Sequence, residues 1–83
     1  MDSRVARLKW RCRRGMRELD AVLGAFVDAE GSRLDATDIT CFEAILELPD
    51  PTLHAYLVLR SVPDDAATAA LIERIRANHR PYA

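Results

Sequence analysis

The segment 13–20, which contains five charged residues and one glycine, carries the residue types best suited to chemistry in this chain. Arg14 offers five N–H donors in a planar fork that binds carboxylates well, and Glu18 offers two acceptor oxygens. Gly15, between them, either ends a helix in the left-handed conformation or lets another backbone approach where a Cβ would clash. These residue types indicate recognition of a polar partner.

A simpler interpretation is an ion pair between Arg14 and Glu18 across one helical turn, worth about 0.2–0.5 kcal/mol. Two features disfavour it. The base precedes the acid, which is the weaker order with respect to the helix dipole, and Gly15 inside a helix would cost up to about 1 kcal/mol. The sequence therefore favours an interruption of the helix at Gly15.

The residues around this segment add apolar area and positive charge. Trp10 and Met16 are candidate apolar anchors, Arg7 and Arg11 are candidate steering charges, and Asp20 lies beside them. For Trp10 the alternative is half-buried packing between the first two helices, because tryptophan is usually mostly buried.

The positive charge of the chain is concentrated at its amino end. Seven of the twelve Lys and Arg residues lie in residues 1–17 with a single acid, Asp2, whereas residues 18–83 carry five basic and twelve acidic residues. The simpler interpretation of an arginine-rich helix is a solvent-exposed face without a binding function. The density of charge here favours a docking surface for an anionic partner, which the acidic body would repel.

The residues that catalysis needs are mostly missing. The three glycines form no phosphate-binding loop, and His54 and His79 lie on different predicted helices. Cys12 and Cys41 lack the spacing of zinc ligands or of a disulfide framework and fall on apolar helical positions, which indicates buried free thiols. We therefore expect a binding protein and not an enzyme, with no metal site.

Hydrophobic periodicity predicts an all-α fold, a small bundle of about five short helices that forms a single domain over residues 1–83. No alternation of period two with hairpin turn signals persists, so no sheet is predicted. The first two predicted helices cover about 3–13 and 16–29. A capping box of Asp35 and Asp38 begins the third, which ends at Pro49. Asp50 caps the fourth, with Pro51 at its first position, and Asp64 caps the fifth, which ends at Asn78 and Pro81.

The predicted helices differ in how clearly one face is apolar. The second has the clearest apolar face, and the fourth is expected to turn Leu53, Tyr56, Leu57 and Leu59 inward. Charged residues near the amino terminus leave no room for the apolar core of a signal peptide, about 7–15 residues long. The longest apolar stretch, 21–27, is far short of the ~20 residues that span a bilayer. We expect a cytoplasmic protein without membrane insertion.

The segment Trp10–Asp20 resembles the RGxxE signature of the SdhE-type flavinylation factors, bacterial relatives of the mitochondrial succinate dehydrogenase assembly factor. The chain length, the segment 46–51, Tyr56 and Pro63 fit the same family, so the resemblance covers nearly the whole chain. It implies a five-helix protein that binds the flavoprotein subunit of succinate dehydrogenase or fumarate reductase and promotes covalent attachment of FAD to that subunit. The bond would form within the partner, through one of its histidines, and this chain would hold no cofactor stably.

The resemblance places the motif's arginine, glycine and glutamate at Arg14, Gly15 and Glu18. It implies that Arg14 hydrogen-bonds the partner or orients Glu18, that Gly15 admits the partner's backbone, and that Glu18 reaches polar groups near the partner's flavin site. The residues expected to flank these contacts are Arg7, Trp10, Arg11, Met16 and Asp20.

Two other functions stay open from the sequence. One is nucleic-acid binding through the arginine-rich amino terminus, in keeping with the antitoxin label once given to some members of the family, although the acidic body argues against it. The other is an adaptor that inserts its first or second helix into a groove of another protein. We expect a monomer that does not bind nucleic acid.

Overall fold

The structure, a computed structural model, describes residues 3–78, which form five α-helices and no strand. The helices are α1 (Ser3–Arg11), α2 (Arg17–Glu30), α3 (Ala36–Leu46), α4 (Asp50–Leu57) and α5 (Ala66–Asn78), and a 3-10 turn at Gly31–Arg33 joins α2 to α3. The predicted all-α bundle is confirmed.

Local signals account for two of the helix starts. The Asp35 carboxylate accepts the backbone N–H of Asp38 at 2.8 Å, and the Asp38 carboxylate accepts that of Asp35 at 3.4 Å, so the predicted capping box is present at the start of α3. α4 begins at Asp50 with Pro51 in its first turn, as predicted, but its N-cap residue is Pro49 and not Asp50. The Asp50 carboxylate is thereby available for another contact.

Three sequence predictions about helix ends and faces are wrong. α1 ends at Arg11 and not near Arg13, because the chain leaves the helix before Gly15. Asp65, not Asp64, caps α5 by accepting the backbone N–H of Thr68 at 2.8 Å. Leu59 is 66% exposed, since α4 ends before it and the chain turns at Arg60, which has a positive φ of 63°.

The core forms around α2, which packs against α1, α4 and α5, while α3 packs against α1 and α5. Phe26 of α2 and Phe42 of α3 are fully buried with ring centroids 5.7 Å apart. A Cβ at Gly31 would lie 2.9 Å from Val5 Cγ1, so the glycine permits the close approach of α1 to the end of α2. This packing holds α1 and α2 side by side, and in the loop between them, residues 12–16, it leaves Arg13 and Gly15 exposed.

Candidate functional site

The 12–16 loop begins where α1 ends and contains the predicted helix interruption. The backbone N–H of Cys12 still bonds to the Leu8 carbonyl at 3.1 Å, and Gly15 then adopts a φ of +86°. Met16 is extended and serves as the N-cap residue of α2. Gly15 thus takes the left-handed conformation predicted for it, which side-chain-bearing residues adopt at a cost of about 1–2 kcal/mol.

The surface beside Gly15 is open, and we call this open space the notch. A Cβ built at this position would meet no atom within 4 Å, so nothing inside the protein requires the space to be empty. The fold therefore requires a glycine at position 15 only for its backbone conformation, and not for lack of space. Space for the approach of another molecule is therefore present beside Gly15.

Asp20 holds the backbone of the 12–16 loop. Its carboxylate accepts the backbone N–H of Arg14 at 2.6 Å and that of Gly15 at 3.2 Å. Because hydrogen bonds to a carboxylate are charge-assisted, two of them from consecutive residues restrict the loop strongly. Asp20, predicted as a flanking contact, lies on the inner side of the loop.

The Arg14 side chain turns toward the junction of α3 and α4, and only 17% of it is exposed. Its guanidinium donates hydrogen bonds to the Leu46 carbonyl at 2.6 Å, to the Leu48 carbonyl at 2.9 Å and to Asp50 Oδ1 at 2.9 Å. The cation lies at the carboxyl end of α3, where the helix dipole favours it. These bonds all go to residues 46–50, so the interpretation of a simple pair with Glu18 is wrong.

Glu18 faces solvent in the first turn of α2. Within residues 3–78 its carboxylate makes no hydrogen bond or ion pair. The carboxylate is therefore available to an external hydrogen-bond donor, at a helix end where the dipole favours a negative charge. Glu18 and the Gly15 notch are thus the two motif positions that the structure leaves open.

Three residues form what we call the cationic surface: Arg7, Trp10 and Arg13. Trp10 is 68% exposed, which overturns the alternative of a half-buried tryptophan, and the Arg13 guanidinium lies 5.7 Å from the centroid of its ring. Arg7, one turn before Trp10, is exposed as well. A large exposed aromatic between two cations is typical of a binding anchor.

Three further cations, all in α1, pair with acids in the body of the protein. Arg4 pairs with Glu43 at 3.2 Å, Lys9 pairs with Asp28, and Arg11 pairs with Glu47 at 2.7 Å. Arg11, predicted as a steering charge, is therefore paired with the residue that directly follows α3. Met16, predicted as an anchor, packs partly buried against the core.

Sequence reasoning did not find Arg13 or Asp50. The spacing of Arg13 from Trp10, three residues, is a helical-neighbour signal that identifies the first. No local signal identifies Asp50, because it follows Arg14 by 36 residues.

Other chemistry has little support in the described part of the chain. Burial raises the pKa of the Cys12 thiol to about 12, although the nearby Lys9 and Arg14 charges act to lower it, so this thiol is neutral and unreactive at pH 7. Residues 3–78 contain no cluster of His, Cys, Asp or Glu able to hold a metal ion. None of the helices between these limits is long and apolar enough to cross a membrane.

Comparison with known proteins decides the family. A family model described as "Flavinator of succinate dehydrogenase" matches residues 6–79. The chain belongs to this family. It is 41% identical over 75 residues to the FAD assembly factor SdhE of Methylococcus capsulatus, covering 90% of each chain.

Further relatives agree with this assignment. The SdhE of Shewanella oneidensis is 36% identical over 77 residues, covering 93% of this chain and 94% of the relative. The SdhE of Legionella pneumophila strain Lens is 43% identical over 65 residues, covering 77% of this chain and 82% of the relative. No solved structure is a significant match to this chain.

Proposed function

We propose that this protein binds the flavoprotein subunit of succinate dehydrogenase or fumarate reductase and promotes covalent attachment of FAD to that subunit. Membership of the flavinator family supports the proposal, as do relatives that bear the name FAD assembly factor. The observation that carries the site is that the notch beside Gly15 is open, on a loop that the rest of the protein holds in place, while the carboxylate of Glu18, in the first turn of α2, has no partner within residues 3–78.

The proposed binding site divides into contacts and supports. Gly15 and Glu18 meet the partner, and the cationic surface of Arg7, Trp10 and Arg13 adds apolar area and positive charge beside them. The supports are Arg14, Asp20, Arg11 and Met16, whose side chains bond to or pack against the protein itself.

The proposed mechanism requires no catalytic group from this chain. The flavin bond forms within the partner, and this protein stabilises an arrangement of the partner in which flavin and histidine lie at reacting distance. A preference of about 3 kcal/mol for that arrangement raises its population roughly a hundredfold. Neither a metal nor a cofactor of its own is part of the proposal.

Nucleic-acid binding is the less favoured function for a structural reason. Of the cations at the amino end, Arg4, Lys9, Arg11 and Arg14 are paired with carboxylates of the same chain. Each such pair removes a charge from those able to neutralise phosphates, on which nonspecific affinity for nucleic acid depends. Duplex binding that is tight and steeply salt-dependent would favour this rival function.

Covalent flavin on the purified flavoprotein subunit tests the proposal. The subunit is incubated with FAD, with and without this protein, and covalent flavin is read as fluorescence in a denaturing gel. We expect the protein to accelerate flavinylation, and Glu18→Gln to remove most of the acceleration. Asp64→Asn, which changes an exposed acid at the start of α5 instead, is the matched control and should behave as wild type. Equal rates with and without the protein would refute the proposal.

A further inference from the structure

Arg14 connects two junctions of the fold that are distant in sequence. Its backbone belongs to the 12–16 loop, whereas its guanidinium bonds to residues 46–50, between the end of α3 and the start of α4. One side chain therefore determines how this loop lies relative to α3 and α4.

Asp50 differs from the other two acceptors because it carries a charge. The carbonyls of Leu46 and Leu48 offer partial charges, and the Asp50 carboxylate supplies the counter-charge for a guanidinium that is largely withdrawn from water. A guanidinium is planar, so fixing its Nε on Asp50 also fixes the directions of its two terminal nitrogens. The three bonds together hold the plane of the group, and Asp50 accepts the one that pairs two charges.

We infer that Asp50 is a positioning residue for partner recognition, acting through Arg14 to hold the loop that presents Gly15 and Glu18. Asp20 holds the backbone of the loop at Arg14 and Gly15, and Asp50 holds the side chain of the same Arg14. The two carboxylates thus hold both the backbone and the side chain of Arg14. Gly15 follows it directly, and Glu18 lies in the first turn of α2.

This inference rests on the proposed function and departs from a direct bond of Arg14 to the partner, one of the two roles that the resemblance implies. Three of the five guanidinium N–H donors bond within the protein. If Arg14 instead left Asp50 to contact the partner, Asp50 would compete with the partner for the guanidinium. Removal of the Asp50 carboxylate would in that case strengthen binding. If Asp50 instead positions Arg14, removal of its carboxylate weakens binding. The two roles therefore predict opposite changes in the affinity for the partner.

Partner affinity of Asp50 variants tests the inference. We expect Asp50→Ala to weaken binding to the flavoprotein subunit about tenfold, because the competent loop conformation becomes a minor one and apparent affinity falls with its population. Asp50→Asn, which keeps an acceptor oxygen without the charge, should lose less. Glu43→Ala breaks a different ion pair between α1 and α3 and should bind as wild type.

A double-mutant cycle separates support through Arg14 from a general loss of stability. We expect Arg14→Ala with Asp50→Ala to bind no worse than Arg14→Ala alone, because Asp50 has nothing to act on once the guanidinium is gone. If the affinity losses of the two single variants multiply in the double variant, the inference is wrong. It is also wrong if Asp50→Ala binds the partner as tightly as wild type or more tightly. Circular dichroism at the assay temperature confirms that every variant is folded.

A measurement without the partner separates this inference from the proposed function. The Arg14 Nε–H should exchange slowly with water in wild-type protein, as seen by nuclear magnetic resonance, and rapidly in Asp50→Ala. If wild type does not bind the flavoprotein subunit, the proposed function fails and the inference with it. If wild type binds but Arg14 Nε–H exchange is the same in both proteins, only the inference fails.

Discussion

The replacement of Gly15 by alanine separates the demands of the fold from those of the partner. Gly15 has a φ of +86°, and a Cβ there would contact nothing within 4 Å, so the substitution introduces backbone strain without a clash. An L-residue in the left-handed region costs about 1–2 kcal/mol. In a domain of this size that corresponds to a decrease in Tm of roughly 4–16 °C.

This cost does not unfold the protein at assay temperature. A domain with about 5 kcal/mol of stability would retain about 3 kcal/mol, which leaves less than about 1% of molecules unfolded. A loss of flavinylation larger than this unfolded fraction must come from the methyl group in the notch or from a displaced loop. We expect the affinity for the flavoprotein subunit to fall at least about tenfold, equivalent to about 1.4 kcal/mol.

Gly31→Ala is the matched control for Gly15→Ala. Gly31 has an ordinary φ of −53°, but its Cβ would lie 2.9 Å from Val5 Cγ1, so the substitution overpacks the core. Overpacking costs about 1–3 kcal/mol, similar to the cost at Gly15. The two variants should therefore melt at similarly lowered temperatures, while Gly31→Ala retains the affinity of wild type.

Gly15→Asn makes the comparison sharper. Asparagine enters the left-handed region more readily than alanine, so this variant should be more stable than Gly15→Ala. It places a larger side chain in the notch and should bind the partner no better. If binding instead recovers along with stability, the partner does not enter the notch and the assignment of Gly15 as a contact is wrong.

Three further predictions follow from the described residues. Trp10→Ala should leave the free energy of unfolding within about 0.5 kcal/mol of wild type, because the ring is exposed, yet weaken partner binding measurably by calorimetry; unchanged affinity would exclude Trp10 as an anchor. The backbone N–H of Thr68, which donates to Asp65, lowers the pKa of that carboxyl, so its stabilising contribution is complete above the ordinary aspartate pKa and is lost as pH falls through the lowered value. Asp65→Asn should therefore melt below wild type at pH 7, with the difference vanishing in strong acid, and a difference independent of pH would contradict this. A thiol reagent at pH 8 should modify the partly buried Cys41 and leave the buried Cys12 unmodified until unfolding, as mass spectrometry of the labelled peptides would show; rapid labelling of Cys12 would contradict its burial.

Helix boundaries followed from the sequence where neighbouring residues determine them. The capping box of Asp35 and Asp38, Pro51 in the first turn of α4 and the helix interruption at Gly15 all depend on contacts or dihedral angles within a few residues. The same locality explains the errors. Asp64 and Asp65 are adjacent acids of equal capping tendency, and only the observed hydrogen bond to Thr68 distinguishes them.

The sequence by itself determined the helical class, most of the apolar faces, and the loop of Arg14 and Gly15 that precedes Glu18. It could not show which of these face outward, because a residue's exposure depends on which helices pack beside it. Trp10 is exposed because α2 and α3 pack against other faces of α1, and Arg14 turns inward because folding brings Asp50 to it from 36 residues away. Periodicity and capping act over a few residues, whereas this pairing forms only when the whole chain has packed.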